Sequence, residues 1–130
     1  MISLAATCLA LTIYFESRGE PNLGKHYVGH ITMNRSHLYE ENVCEAVFDK
    51  DQYSWTDRVK RSKDKALMAK RAIQLVEDNE SWGQSVEIAK KVINRGKDIT
   101  NGAKFFNEKK MGRRYKTSVR TKIIGKHIFY

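Results

Sequence analysis

The sequence predicts an α+β fold: a mostly helical domain with a small antiparallel β-sheet near its C-terminus. Three observations lead there. Apolar residues recur at helical spacing through most of the first 95 positions. Beyond Gly102 that spacing gives way to short β-branched and aromatic runs. Finally, 130 residues with 41% hydrophobic content make about one core's worth of chain, so residues 1–130 are expected to form a single domain.

Ser3 suits the N-cap of a first helix, with Leu4, Cys8, Leu11 and Phe15 along one face. Ala5, Leu9 and Ile13 widen that face until the helix must be buried on most sides. Gly19–Pro21 ends it, because glycine terminates helices and proline disfavours helix in the residue before it. A second helix opens at Asn22–Gly24 and reaches about Ser36, with Tyr27, Val28 and Ile31 inward. Asn42 can cap a short turn through Phe48. The polar run from Asp49 to Asp57 holds Gln52, Tyr53 and Trp55.

Ser62 to Glu77 reads as an amphipathic helix. Trp82-Gly83 is expected to separate it from another over Val86–Arg95, ended by Gly96. Ala103–Phe106, Thr121–Ile124 and His127–Tyr130 are strand-like, and Gly125-Lys126 turns between the last two. Lys109–Tyr115 is a basic loop.

Composition narrows the function. One proline and eight glycines exclude a collagen-like or low-complexity chain, and no run approaches the ~20 apolar residues of a membrane span. The first fifteen residues lack the basic flank of a secretory leader, so they are read as a structural helix and no signal peptide is expected. The net charge is +9, unevenly spread. Residues 1–57 carry four basic against eight acidic side chains, so the excess belongs to residues 58–130. Such a surface serves either solubility or attraction to a polyanion: nucleic acid, an acidic membrane or an anionic cell envelope.

Cys8 and Cys44 both sit in apolar segments and are expected to be free thiols buried as small hydrophobes. The histidines His26, His30, His37 and His127 do not group with them, so no zinc site and no metal cofactor is expected.

The sharpest chemistry lies in Tyr14-Phe-Glu16-Ser-Arg18-Gly-Glu20. Glu16 follows an apolar run and falls in the last turn of its helix. Desolvation and the negative helix end both oppose its ionisation. A carboxyl kept protonated near neutral pH is what a general acid needs to protonate a glycosidic oxygen. Arg18 could offset this by pairing with Glu16, or could instead hold Glu20. Local physics alone also allows both glutamates to be ordinary helix-end acids.

The chain resembles the SleB-type cell wall hydrolases over nearly its whole length, Leu4 to Tyr130. The resemblance rests on Leu11–Pro21 (LTIYFESRGEP), Val28–Arg35 (VGHITMNR), Val43-Cys44 and Gln52-Tyr-Ser-Trp55. Gly102-Ala103, Phe105-Phe-Asn107 and Ile124–Tyr130 continue it. Order and spacing make it specific. Phe15, Ser17, Asn107 and Lys126 depart from the residues common at those places, and Glu108–Arg120 lacks the usual landmarks.

The resemblance implies a lysozyme-like catalytic domain with Glu16 as the catalytic acid/base. It implies Glu20 as a structural or substrate-orienting acid, and Gln52, Tyr53, Ser54 and Trp55 as a stretch lining the glycan groove. Phe105, Asn107, His127 and Tyr130 match its C-terminal strand elements and complete the substrate-binding candidates. Of the aromatics, Trp55 in its polar loop is expected on the groove and Phe105 in its apolar strand in the core.

The implied substrate is the glycan strand of peptidoglycan, cut without a cofactor by a monomer, with neither nucleic acid nor membrane insertion. Cutting through the muramyl 6-hydroxyl needs one carboxyl, whereas ordinary glycosidases use two. Glu20, Asp49 and Asp51 are the candidates for a second. Spacing singles out none of them; the resemblance to the SleB-type family implies a lytic transglycosylase in preference to a muramidase. A different class, a basic nucleic-acid-binding module using residues 58–71 and 109–122, lacks any recognised motif. A short chain that begins directly with its catalytic domain suits a phage endolysin, made in the host cytoplasm and acting on the wall at lysis.

Overall fold

The computed structural model describes residues 2–38, 41–49, 52–95, 97–115 and 121–130. Helices α1 (Leu4–Ser17), α2 (Asn22–Leu38), α3 (Val43–Phe48), α4 (Lys65–Ile73) and α5 (Asn79–Arg95) precede three short strands. These are β1 (Phe106–Glu108), β2 (Lys122–Ile124) and β3 (His127–Phe129), forming an antiparallel sheet in the order β1-β3-β2. The fold is α+β, as the sequence predicts.

Helix α1 is the axis of the domain, and α2, α3, α4 and α5 all pack against it. Every residue from Ala6 to Tyr14 is buried, which no single-faced amphipathic helix would allow. Its few polar groups are answered locally. Ser3 caps it by accepting from the Ala6 N–H (3.1 Å), and the Ser17 hydroxyl donates to the Ile13 carbonyl. Close approach of its neighbours relies on Gly29 in α2, where an added Cβ would come 3.1 Å from Val92 and 3.2 Å from Ile13.

Three helix boundaries differ from expectation. The Asp64 carboxylate accepts from the Ala66 and Leu67 N–H groups, which starts α4 at Lys65 instead of Ser62. Short-range turn bonds from Gln74, Leu75 and Val76 then close it at Ile73. Asp78 accepts from the N–H groups of Glu80 and Ser81, so α5 begins at Asn79. Trp82 and Gly83 lie inside α5, not between two helices. A helical glycine costs only ~1 kcal/mol, and Trp82 gains edge contact with Tyr14. Gly96, expected to end the helix, lies outside the described residues.

The cysteines correct a second expectation. Cys8 and Cys44 form a disulfide, their Cα atoms 5.3 Å apart. Helix α3 crosses α1 and presents Cys44 to Cys8 within the range a bridge requires. Strand β1 begins at Phe106, later than Ala103, but Tyr130 and Phe105 exchange backbone bonds that continue the β1–β3 ladder.

The disulfide joins residues 36 apart. Replacing both cysteines by alanine is expected to cost about 3–4 kcal/mol and lower the Tm by about 10 °C in calorimetry.

Candidate active site

Glu16 stands in the last turn of α1, and the chain turns sharply after it. The Glu20 N–H donates to the Ser17 carbonyl, and Gly19 takes the left-handed φ of 87° that this turn needs. Glu16 is thereby placed where two clefts meet, and its residue lines both.

The first limb, about 530 Å³, is bounded by Arg35, Gln52, Tyr53, Ser54, Phe105, Phe106 and Tyr115. Tyr53 is fixed by a 2.7 Å hydrogen bond between its hydroxyl and that of Thr32. Phe105 and Tyr115 stack with ring centroids 4.7 Å apart. The second limb, about 270 Å³, is charged: Arg18, Gly19, Glu20, Glu108, Lys126 and His127 surround Glu16. Strand alternation puts Phe106 and Glu108 on one face of β1, which lets one strand wall both limbs while Asn107 faces away.

The environment favours the protonated form of Glu16. Burial, followed by the nearby Glu108 carboxylate, pushes its pKa from 4.5 up to about 7. Arg18 does not oppose this. It turns back along α1, donating to the Tyr14 hydroxyl with its guanidinium 4.9 Å from that ring. The same hydroxyl accepts from the Glu77 and Asp78 N–H groups, joining the end of α1 to the start of α5.

Glu20 is a tie between segments. Its Oε1 accepts from the Lys126 N–H at 2.7 Å and lies 3.4 Å from His127 Nδ1. The fit is close enough that a Cβ on Gly125 would meet that oxygen at 2.6 Å. Burial holds His127 below the usual histidine range, while Glu20 and Glu108 pull it the other way.

Glu16, Gln52, Tyr53, Ser54 and Phe105 therefore converge on the first limb, and Glu16, Glu20 and His127 on the second. Three expected groove residues are elsewhere. Trp55 is buried, stacked on Phe15 at 4.7 Å, with its indole N–H donating to Thr12. Trp55 and Phe105 have exchanged the roles expected of them, because the turn at Ser54–Arg58 folds Trp55 inward under Phe15. Asn107 donates to the carbonyls of Glu108 and Gly112, holding the turn that follows β1. Tyr130 is buried, its hydroxyl accepting from the Arg114 N–H.

Of the second-carboxylate candidates, Asp49 sits beside Glu41 and is not among the residues lining either limb, and Asp51 lies outside the described residues. Among the described residues no group of three His, Cys, Asp or Glu could hold a metal ion. Sequence reasoning missed Arg35, Phe106, Glu108 and Tyr115. The i, i+2 relation of Phe106 to Glu108 was the available signal for that pair.

A family model described as Cell Wall Hydrolase matches residues 19–130. The chain belongs to the cell wall hydrolase family. Membership supports an enzyme that degrades peptidoglycan. The match takes in Glu20 and the whole sheet, while Glu16 precedes its start; the case for Glu16 in this family member rests on the geometry. No curated protein and no solved structure gives a significant match.

Two outcomes are expected of variants at this site. A carboxyl whose folded pKa lies above its unfolded value adds stability below pH 4.5 that is lost as pH rises through about 7. Glu16→Gln should escape that loss and exceed wild type by about 1–3 kcal/mol at pH 8, but not at pH 4, in urea melts. Gly125→Ala combines a φ of 55° with collision against Glu20. It should destabilise by about 1–3 kcal/mol, whereas a flat melting curve would mean that the tie is dispensable.

Proposed function

We propose that the protein is a lytic transglycosylase that cuts the β-1,4 bond between N-acetylmuramic acid and N-acetylglucosamine, with Glu16 as its acid and base. The observation that carries this reading is a buried carboxyl, its pKa raised to about 7, at the junction of an aromatic limb and a charged limb. Sugar faces pack on aromatic rings, and Tyr53, Phe105 and Tyr115 supply them on one side of Glu16.

Glu16 donates its proton to the glycosidic oxygen as the C1–O bond breaks. The resulting carboxylate then takes the proton of the muramyl 6-hydroxyl while O6 bonds to C1. The acid is restored and no water is consumed. A proton donor titrating near pH 7 serves both halves of this cycle.

The other carboxylates in the charged limb are engaged. Glu20 holds the Lys126 N–H, and Glu108 pairs with Lys110 at 3.1 Å. This favours one working acid. Glu108 is nevertheless the group to which a hydrolytic version of the reaction would turn, since it shares the limb with Glu16. A lysozyme-like ancestry, a monomeric state and release as a phage endolysin belong to the same reading. The basic half of the chain then aids adhesion to the anionic wall.

Glu16→Gln is expected to lose at least ~10²-fold in wall-lytic activity while staying folded. Fragments released by the wild type should end in 1,6-anhydromuramic acid, which resists borohydride and is lighter by one water than a reducing end. Mass spectra dominated by borohydride-reduced muramic acid would make the enzyme a muramidase. Reduced glucosamine ends would assign it the other bond.

A further inference from the structure

Among the described residues, Arg35 is the one cation bounding the aromatic limb. It comes from the last turn of α2, where the helix end favours a positive charge. Its guanidinium carbon lies 5.7 Å from the Tyr53 ring centroid and 5.5 Å from that of Phe105. Phe105 is in turn backed by Tyr115. Two rings thus set the place of a planar, permanently charged group.

Among the described residues this guanidinium has neither an ion pair nor a hydrogen bond. Glu41 feels its charge from beyond ion-pair distance and lies beside Asp49. Arg35 is also partly buried. A partly buried cation held without a direct ion pair is costly to keep. Supporting the rings would need only an apolar side chain. The arrangement makes sense if the anion arrives with the ligand.

The sugar backbone of an N-acetylated glycan is neutral. In peptidoglycan the carboxylates lie on the muramyl side arm: the lactyl group itself where it is bare, or the peptide stem attached to it. We propose that Arg35 is a specificity-determining residue that binds a carboxylate of the muramyl side arm, so that the site prefers peptidoglycan to an uncharged N-acetylglucosamine polymer. This rests on the glycan-cleaving reading above and adds to it how one sugar of the repeat is told from the other.

The test compares wild type, Arg35→Gln and Arg35→Lys on three ligands: intact peptidoglycan fragments, strands stripped of stems by an amidase, and chitotetraose. Arg35→Gln should raise KM on intact fragments at least tenfold with kcat within about twofold. Its Kd for chitotetraose should stay within twofold of wild type, and Arg35→Lys should recover part of the loss. Stripping frees the lactyl carboxylate that the stem otherwise ties up as an amide. A penalty that vanishes on stripped strands assigns a stem carboxylate, and one found on both substrates means that Arg35 takes whichever carboxylate the side arm offers. Equal weakening for all three ligands would reduce Arg35 to a support for the rings and overturn the proposal. Should Arg35→Gln fail to fold, wild type on fragments with amidated carboxylates takes its place, and an unchanged KM there has the same force. Wild type that releases no fragments from any wall would instead sink the underlying reading.

Discussion

The rest of the structure depends on a helix with no exposed side through its middle. From Ala6 to Tyr14 every side chain of α1 is buried, so four helices must be arranged around it. That enclosure does two things at once. It forms the centre of the hydrophobic core, and it carries the chain from a dry interior to the point where Glu16 meets the clefts. The same burial that holds the fold together raises the pKa of the acid. Stability and proton affinity have a common cause here.

A long lever joins the two ends of the chain around this acid. Glu20, just past α1, holds the turn of the β2–β3 hairpin through the Lys126 N–H, a span of 106 residues. Register then passes the constraint on. Glu108 faces His127 and Phe106 faces Phe129, so placing the hairpin places β1, and β1 walls both limbs. The charged limb is less a collection of separate residues than a consequence of one carboxylate gripping one turn.

Much of this was legible from the residues. Ser3, Asn42 and Gly125 mark boundaries through backbone chemistry that acts locally, and the structure has each of them in that role. The buried character of α1 and the position of Glu16 at its end followed from composition and the Gly-Glu-Pro stop. Competing local signals were harder. Asp64 and Asp78 captured helix starts that apolar spacing alone put elsewhere. Trp55 and Phe105 could not be sorted, because which aromatic turns inward is decided by packing against Phe15, forty residues away from Trp55 in sequence. The disulfide was illegible for the same reason: nothing local says that α3 will cross α1 at Cys8.

That crossing bridge makes the domain's stability depend on its surroundings. The bond from Cys8 to Cys44 anchors α1 two turns ahead of the acid. Thiol-rich compartments would hold the pair reduced, leaving packing alone to keep α3 across α1, while oxidising ones would close it. The same polypeptide is therefore softer where glutathione is abundant and stiffer outside it. Resistance to heat and proteases becomes a property of where the molecule is, as well as of what it is.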